Sequence, residues 1–170
     1  MDLKEKIRVI QDFPEKGIRF KDITPLLQDK DALKESIVQM KKLTEKLDAD
    51  IVVGPEARGF IFGTPLAYAM NLGFVPVRKP GKLPCEVVSQ GYSLEYGKDS
   101  LEIHKDAIIS GQRVVIVDDL LATGGTLLST AKLVEKLGGE VVGILFLIEL
   151  TYLNGRETLK GYNVESLITF

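Results

Sequence analysis

Apolar residues recur at spacings of three and four from Leu33 through Ile37, Met40 and Leu43 to Leu47, which predicts an amphipathic helix over residues 32–47. A short β-branched run at 51–54 reads as a buried strand. A helical stretch at 60–71 follows, stopped by Asn71-Leu72-Gly73, and 74–77 is a second strand candidate. Residues 79–96, with Pro80, Gly81, Pro84 and Gly91, show no clean period and read as a loop of unusual length, the kind that covers a site. A strand at 113–117, a helix at 126–137 closed by Gly138-Gly139 and an apolar strand at 140–148 complete the pattern. Strands alternating with helices predict an α/β fold with a mostly parallel central sheet flanked by helices. In such sheets ligands sit outside the carboxyl ends of the strands.

The chain has 170 residues, enough for one domain with one sizeable core, and no linker or repeat divides it. Net charge is -2, with Lys and Arg interspersed among Asp and Glu, so no basic face for nucleic acid is expected. No run has the length of a membrane span or a signal-peptide core, which points to a cytoplasmic protein with no membrane partner. The single cysteine, Cys85, has no intramolecular partner, no Cys/His metal cluster is visible, and His104 has no companion that suggests a base.

Chemistry concentrates at residues 114–126, VVIVDDLLATGGT. Four apolar β-formers lead to Asp118 and Asp119, and Ala122-Thr123-Gly124-Gly125-Thr126 then opens a helix. Small residues let backbone N–H groups approach an anion, the helix N-terminus favours negative charge, and either threonine is a candidate N-cap. Carboxylates would repel a bare phosphate, so the pair makes sense beside a ligand that also offers a diol, such as a ribose 5-phosphate. No Gly-Lys-Ser/Thr follows the glycines and no Gly-x-Gly-x-x-Gly is present, which disfavours ATPase and dinucleotide readings.

This stretch resembles the phosphoribosyl-diphosphate (PRPP) signature of type I phosphoribosyltransferases. FPEKGIRFKDITPLL (13–27), EARGFIFG (56–63), VRKPGKLP (77–84) and YSLEYGKDSLEIHKDAI (92–108) resemble the adenine phosphoribosyltransferases in the same order along nearly the whole chain. The resemblance implies a type I phosphoribosyltransferase fold spanning 1–170, with a small N-terminal hood at about 1–30 and a flexible lid loop at about 79–96. It implies a glycosyltransferase (pentosyltransferase) of purine salvage that joins N9 of adenine to the phosphoribosyl group of PRPP, giving AMP and diphosphate. Rival readings are a phosphoribosyltransferase for 6-oxopurines and a PRPP-sensing regulator, but FKDITP, YSLEYG and the acidic balance speak against them.

The resemblance also implies residue roles. Asp118 and Asp119 would hold the ribose hydroxyls, and Ala122, Thr123, Gly124, Gly125 and Thr126 the 5-phosphate. Arg58, in a turn that in the family often holds a non-proline cis peptide, would bind diphosphate with Arg78, Lys79 and Lys82, three cations near no run of acids. Glu95 would take the proton from adenine N9 and Tyr96 would close the lid. Backbone groups of Arg19, Phe20 and Lys21, with walls from Phe20 and Leu150, would receive adenine. Mg²⁺, carried mainly by diphosphate oxygens, is the implied cofactor and needs few protein ligands. A homodimer is implied, with the segment after Arg58 at its interface.

Overall fold

A computed structural model of the chain describes residues 1–94 and 97–170, which group into two units, Met1–Gln39 and Met40–Phe170. In the first unit, β1 (Arg8–Gln11) and β2 (Arg19–Asp22) form an antiparallel hairpin in which Ile10 faces Phe20. Its connection carries Asp12 and Gly17 at positive φ, and the Gly17 N–H donates to the Asp12 carboxylate at 2.7 Å. This hairpin was not expected from the sequence, because each strand has only four residues and its apolar positions do not alternate cleanly. α1 (Thr24–Gln28) carries Pro25 in its first turn, where a missing N–H costs nothing. α2 (Lys30–Thr44) starts ahead of the predicted helix because the Asp29 carboxylate accepts from the N–H groups of Asp31 and Ala32. Leu3, Ile7, Ile23, Leu26 and Ala32 are the buried apolar residues of this unit.

The second unit is built on a five-stranded parallel sheet. In chain order its elements are β3 (Ile51–Pro55), α3 (Arg58–Met70), β4 (Gly73–Val77), β5 (Val87–Leu94), β6 (Gly97–His104), β7 (Arg113–Leu121), α4 (Gly125–Lys136), β8 (Glu140–Glu149), α5 (Gly155–Thr158) and β9 (Val164–Thr169). The strand order is β4-β3-β7-β8-β9, and β5 and β6 form a separate antiparallel hairpin. From the central β3–β7 pair the chain moves outward one way through α3 to β4 and the opposite way through α4 to β8. Right-handed crossovers then place α3 and α4 on opposite faces of the sheet. The carboxyl ends of β3 and β7 therefore meet at a topological switch point, where a crevice opens.

The core explains why β7 is central. Val114, Val115, Ile116 and Val117 are fully buried, and Val114 and Ile116 share a core cluster with Val53, Ile144, Phe146, Leu133 and Val134. Arg113 holds the start of this strand: its N–H donates to Asp50 at 2.7 Å and its guanidinium to the carbonyls of Asp48 and Leu47. α3 ends at Asn71 and α4 at Gly138, both at positive φ, as the stop signals at those points predict.

Two expectations need correction. Residues 79–96 are not a loop throughout, since β5 occupies Val87–Leu94; its core-packed residues Val88 and Tyr92 are four apart, a spacing that hides a strand. The predicted strand at 113–117 continues to Leu121 because β8 is long enough to pair with it, Asp118 with Phe146 and Leu120 with Ile148. Strand β9 went unrecognised in the sequence.

Candidate active site

At the switch point a cavity of about 230 Å³ is lined by residues 56–58, 118–120 and 122–127. Arg58, Asp118, Asp119, Ala122, Thr123, Gly124, Gly125 and Thr126 are thus brought together from two segments far apart in the chain. Asp118 and Asp119 do not emerge as solvated charges. They lie within β7, and Asp119 is 3% exposed. The Asp118 carboxylate accepts the Asp119 N–H at 2.8 Å. Arg58 Nε stands 3.0 Å from Asp119 Oδ2, a charge contact without hydrogen-bond alignment. Burial, and then the neighbouring Asp119 charge, push the Asp118 carboxyl well above the usual carboxylate range. Burial also raises Asp119, against the opposing pull of Arg58. Two acids held this way form a strong acceptor set for hydroxyls or for a cation.

The loop after β7 turns through Gly124 at φ 88 into α4. Neither threonine caps the helix, as the sequence had suggested. Gly124 is the N-cap and no side chain bonds the first turn. The reason is steric: a Cβ at Gly124 would stand 2.8 Å from the Gly155 carbonyl, and only glycine adopts the left-handed turn there without strain. The first turn of a helix leaves N–H groups without intrahelical partners, and residues 125–127 of that turn line the cavity. The Thr126 hydroxyl instead reaches the Tyr92 phenol on β5, and Tyr92 donates to Asp99 at 3.1 Å. Burial, and then the Asp99 contact, raise the Tyr92 hydroxyl.

The cations of the lid segment do not stand apart from acids, contrary to expectation. Arg78 Nε lies 3.3 Å and Lys82 Nζ 3.0 Å from the Glu56 carboxylate, which also accepts the Lys79 N–H at 2.8 Å. The Lys79 ammonium is 3.8 Å from Asp99. Burial alone would raise the Glu56 carboxyl, but the Lys79 amide and the Lys82 and Arg78 charges bring it below its ordinary value. Glu56 is therefore the functional residue that sequence reasoning missed. Its signal was an acid directly after a buried strand, beside the basic Arg58. The Glu56–Ala57 peptide is cis.

Of the residues assigned to adenine, Arg19 is exposed, Phe20 is half-buried with its ring edge-on to Phe13, and Lys21 is buried, all within the first unit. Burial, and then Arg19 and Lys4, lower the Lys21 ammonium. Leu150, in the second unit, is buried with its N–H on the Leu121 carbonyl at 2.9 Å. Glu95 and Tyr96 lie outside the described residues. Among the described residues no three His, Cys, Asp or Glu side chains come together as a ligand set. Among the described residues, too, no helix is long and apolar enough to cross a membrane.

Comparison with known proteins gives the family. The family model described as phosphoribosyl transferase domain matches residues 23–166. The adenine phosphoribosyltransferase of Alkaliphilus metalliredigens is 65% identical over 170 residues, covering 100% of both chains. The chain belongs to the adenine phosphoribosyltransferase family. The relative from Clostridium perfringens strain 13 is 64% identical over 100% of this chain and 99% of its own. Among solved structures, adenine phosphoribosyltransferase from Thermoanaerobacter pseudethanolicus superposes with a TM-score of 0.97 at 62% identity, covering 99% of this chain and 98% of that one. The Saccharomyces cerevisiae enzyme, complexed with an imino-altritol bisphosphate and adenine, gives a TM-score of 0.91 at 39% identity over 97% of this chain and 96% of its own. An α/β fold with a parallel central sheet is common to family and chain.

Proposed function

We infer that this chain is a pentosyltransferase of purine salvage: it transfers the 5-phosphoribosyl group of PRPP to N9 of adenine, releasing AMP and diphosphate. The observation that carries the reading is the acid pair Asp118–Asp119 beside a side-chain-free helix start at the switch point, in a chain whose relatives match over its full length. Such a site offers carboxylates to a diol and N–H groups to a phosphate within one cavity.

In this reading Asp118 and Asp119 accept hydrogen bonds from the ribose hydroxyls while residues 122–126 hold the 5-phosphate. As the bond from C1 to diphosphate breaks, positive charge grows on the ribose ring, and the buried carboxylates lie where they offset it. Arg58, Arg78, Lys79 and Lys82 meet the departing diphosphate. For the two residues on Glu56, that requires exchanging an internal acid for the substrate anion. Mg²⁺, held by Asp118 or Asp119 together with diphosphate oxygens, would supply charge neutralisation of the leaving group. Arg19–Lys21 receive the base, and residues 79–96 act as a lid that Tyr96 helps close. Glu95 takes the N9 proton as the new bond forms, so Glu95→Gln should lower kcat about a hundredfold with little change in the KM for PRPP; an unchanged kcat removes that role.

A homodimer with α3 at its interface fits the 89% exposure of Tyr68, and sedimentation of the purified chain reads its mass directly. A cytoplasmic location goes with PRPP, a polyanion that does not cross membranes. The deciding assay is AMP formation from PRPP with adenine, hypoxanthine, guanine and xanthine in turn, with and without Mg²⁺. Adenine should be the preferred base and Mg²⁺ required; preference for a 6-oxopurine would overturn the assignment.

A further inference from the structure

Beyond the cavity, the ends of β8 and β9 hold a polar cluster that the transfer chemistry leaves unused. Glu149 is 5% exposed, yet it is fully engaged. Its two oxygens accept from Arg156 Nε at 2.7 Å and Nη2 at 2.8 Å, and the second also accepts from the Ser166 hydroxyl at 2.7 Å. Arg156 Nη1 donates to the Val164 carbonyl at 2.7 Å. A planar guanidinium forked on a carboxylate is a joint with defined orientation, which a lysine cannot reproduce. This one fastens the end of β8, the α5 turn and the start of β9 to each other. Arg156 is half-exposed, but Glu149 is buried and held by both arms of the guanidinium, so the joint supports stability and its planar geometry also fixes orientation.

What it orients is the neighbouring residue, Gly155. A Cβ on Gly155 would collide with the Ala122 carbonyl and come within 2.7 Å of the Leu121 side chain. From the other side, Gly124 approaches the Gly155 carbonyl so closely that it too admits no Cβ. At these two glycines backbone therefore rests closely on backbone, with the Leu121, Thr158 and Leu159 side chains packed alongside. Packed interiors yield little, so a shift of Gly155 passes to Ala122 and Gly124 undamped.

We propose that Arg156 is a positioning residue for the 5-phosphate: by locking onto Glu149 and Val164 it fixes Gly155 beneath Ala122 and Gly124, and thereby aims the N–H groups at the start of α4. The proposal rests on the reading of residues 122–126 as the 5-phosphate cradle. It assigns to Arg156 no contact with substrate.

The test compares Arg156→Met and Gly155→Ala with the unmodified protein, using ribose 5-phosphate and diphosphate separately as inhibitors of AMP formation. Ribose 5-phosphate needs the cradle, whereas diphosphate meets the Arg58 and Lys82 side of the site. Both variants should weaken inhibition by ribose 5-phosphate about tenfold and leave diphosphate inhibition within about twofold. A purely structural role would lower the melting temperature and leave both inhibition constants unchanged; that result, or equal weakening of both inhibitors, overturns the proposal. Should Arg156→Met not fold, Arg156→Lys keeps a cation without the fork and should weaken ribose 5-phosphate about threefold. If ribose 5-phosphate does not compete with PRPP on the unmodified protein, the cradle reading fails first and takes the proposal with it.

Discussion

Two sides of one cavity are held by opposite means. On the β7–α4 side the contacts are backbone or buried: Gly124 against Gly155, the Asp119 N–H on the Asp118 carboxylate, and carboxyls buried in the sheet. On the Glu56 side they are half-exposed side chains, with Arg78 and Lys82 gathered on one carboxylate and Lys79 on Asp99. A backbone-built surface cannot rearrange without disturbing the fold, whereas long, half-exposed cations can swing from a shared carboxylate to another anion more readily. Under the proposed function, the ribose phosphate that stays with the product would meet the fixed side, and the diphosphate that leaves would meet the exchangeable one.

Four experiments break or sharpen that contrast. The largest effect belongs to Asp118→Asn with Asp119→Asn, which should reduce kcat/KM for PRPP about a hundredfold or more, or about 2.7 kcal/mol. Normal PRPP affinity in that double variant would contradict the ribose assignment. Next comes Gly124→Ala, where the left-handed turn and the Gly155 carbonyl both oppose a methyl group. A loss of about 2 kcal/mol is expected, or roughly 4–8 °C in melting temperature, together with weaker PRPP binding. Calorimetry showing no destabilisation would mean the loop is softer than its contacts indicate. Lys82→Ala should change stability by less than about 0.5 kcal/mol while raising the KM for PRPP about threefold. If instead it destabilises as much as Gly124→Ala, the two sides do not differ in kind.

The smallest effect is one of pH. The Asp118 carboxyl is raised, so its protonation favours the folded chain, and an energetic penalty appears as pH climbs from about 4 through the raised value. Acids held low, such as Glu56 and Glu149, work the other way and withdraw stability only as pH falls below about 4. The melting temperature of Asp118→Asn should therefore gain on that of the unmodified protein between pH 4 and pH 7. A difference that does not vary with pH would show that burial does not hold the proton on Asp118.

Much of this was legible beforehand, for identifiable reasons. Parallel strands buried on both faces read as apolar runs, so 51–54, 74–77, 113–117 and 140–148 stood out, and the acid pair with its glycines marked the cradle. The two hairpins did not stand out. Their strands bury one face only, and core-facing Val88 and Tyr92 sit among polar residues and a glycine. Pairing across the chain was equally hidden. Nothing local in Arg78 or Lys82 tells that the fold sets both on Glu56, because that contact is made by β3 lying beside β4. Arg156 was missed for a different reason: its partner Glu149 is only seven residues away, but no periodic pattern marks the turn that folds one back onto the other.

The pairing of Ile51 with Val114 has a consequence in time. Arg113 and its partner Asp50 are 63 residues apart, so at roughly 5–20 residues per second β3 waits about 3–13 seconds during synthesis before β7 can reach it. Until then β3 has only β4 beside it, and one flank of an apolar strand is open to other chains. Residues 56–58 and 118–127 face each other only after this seam closes. The appearance of PRPP binding in a nascent or refolding chain is thus a clock for the moment at which its centre is joined.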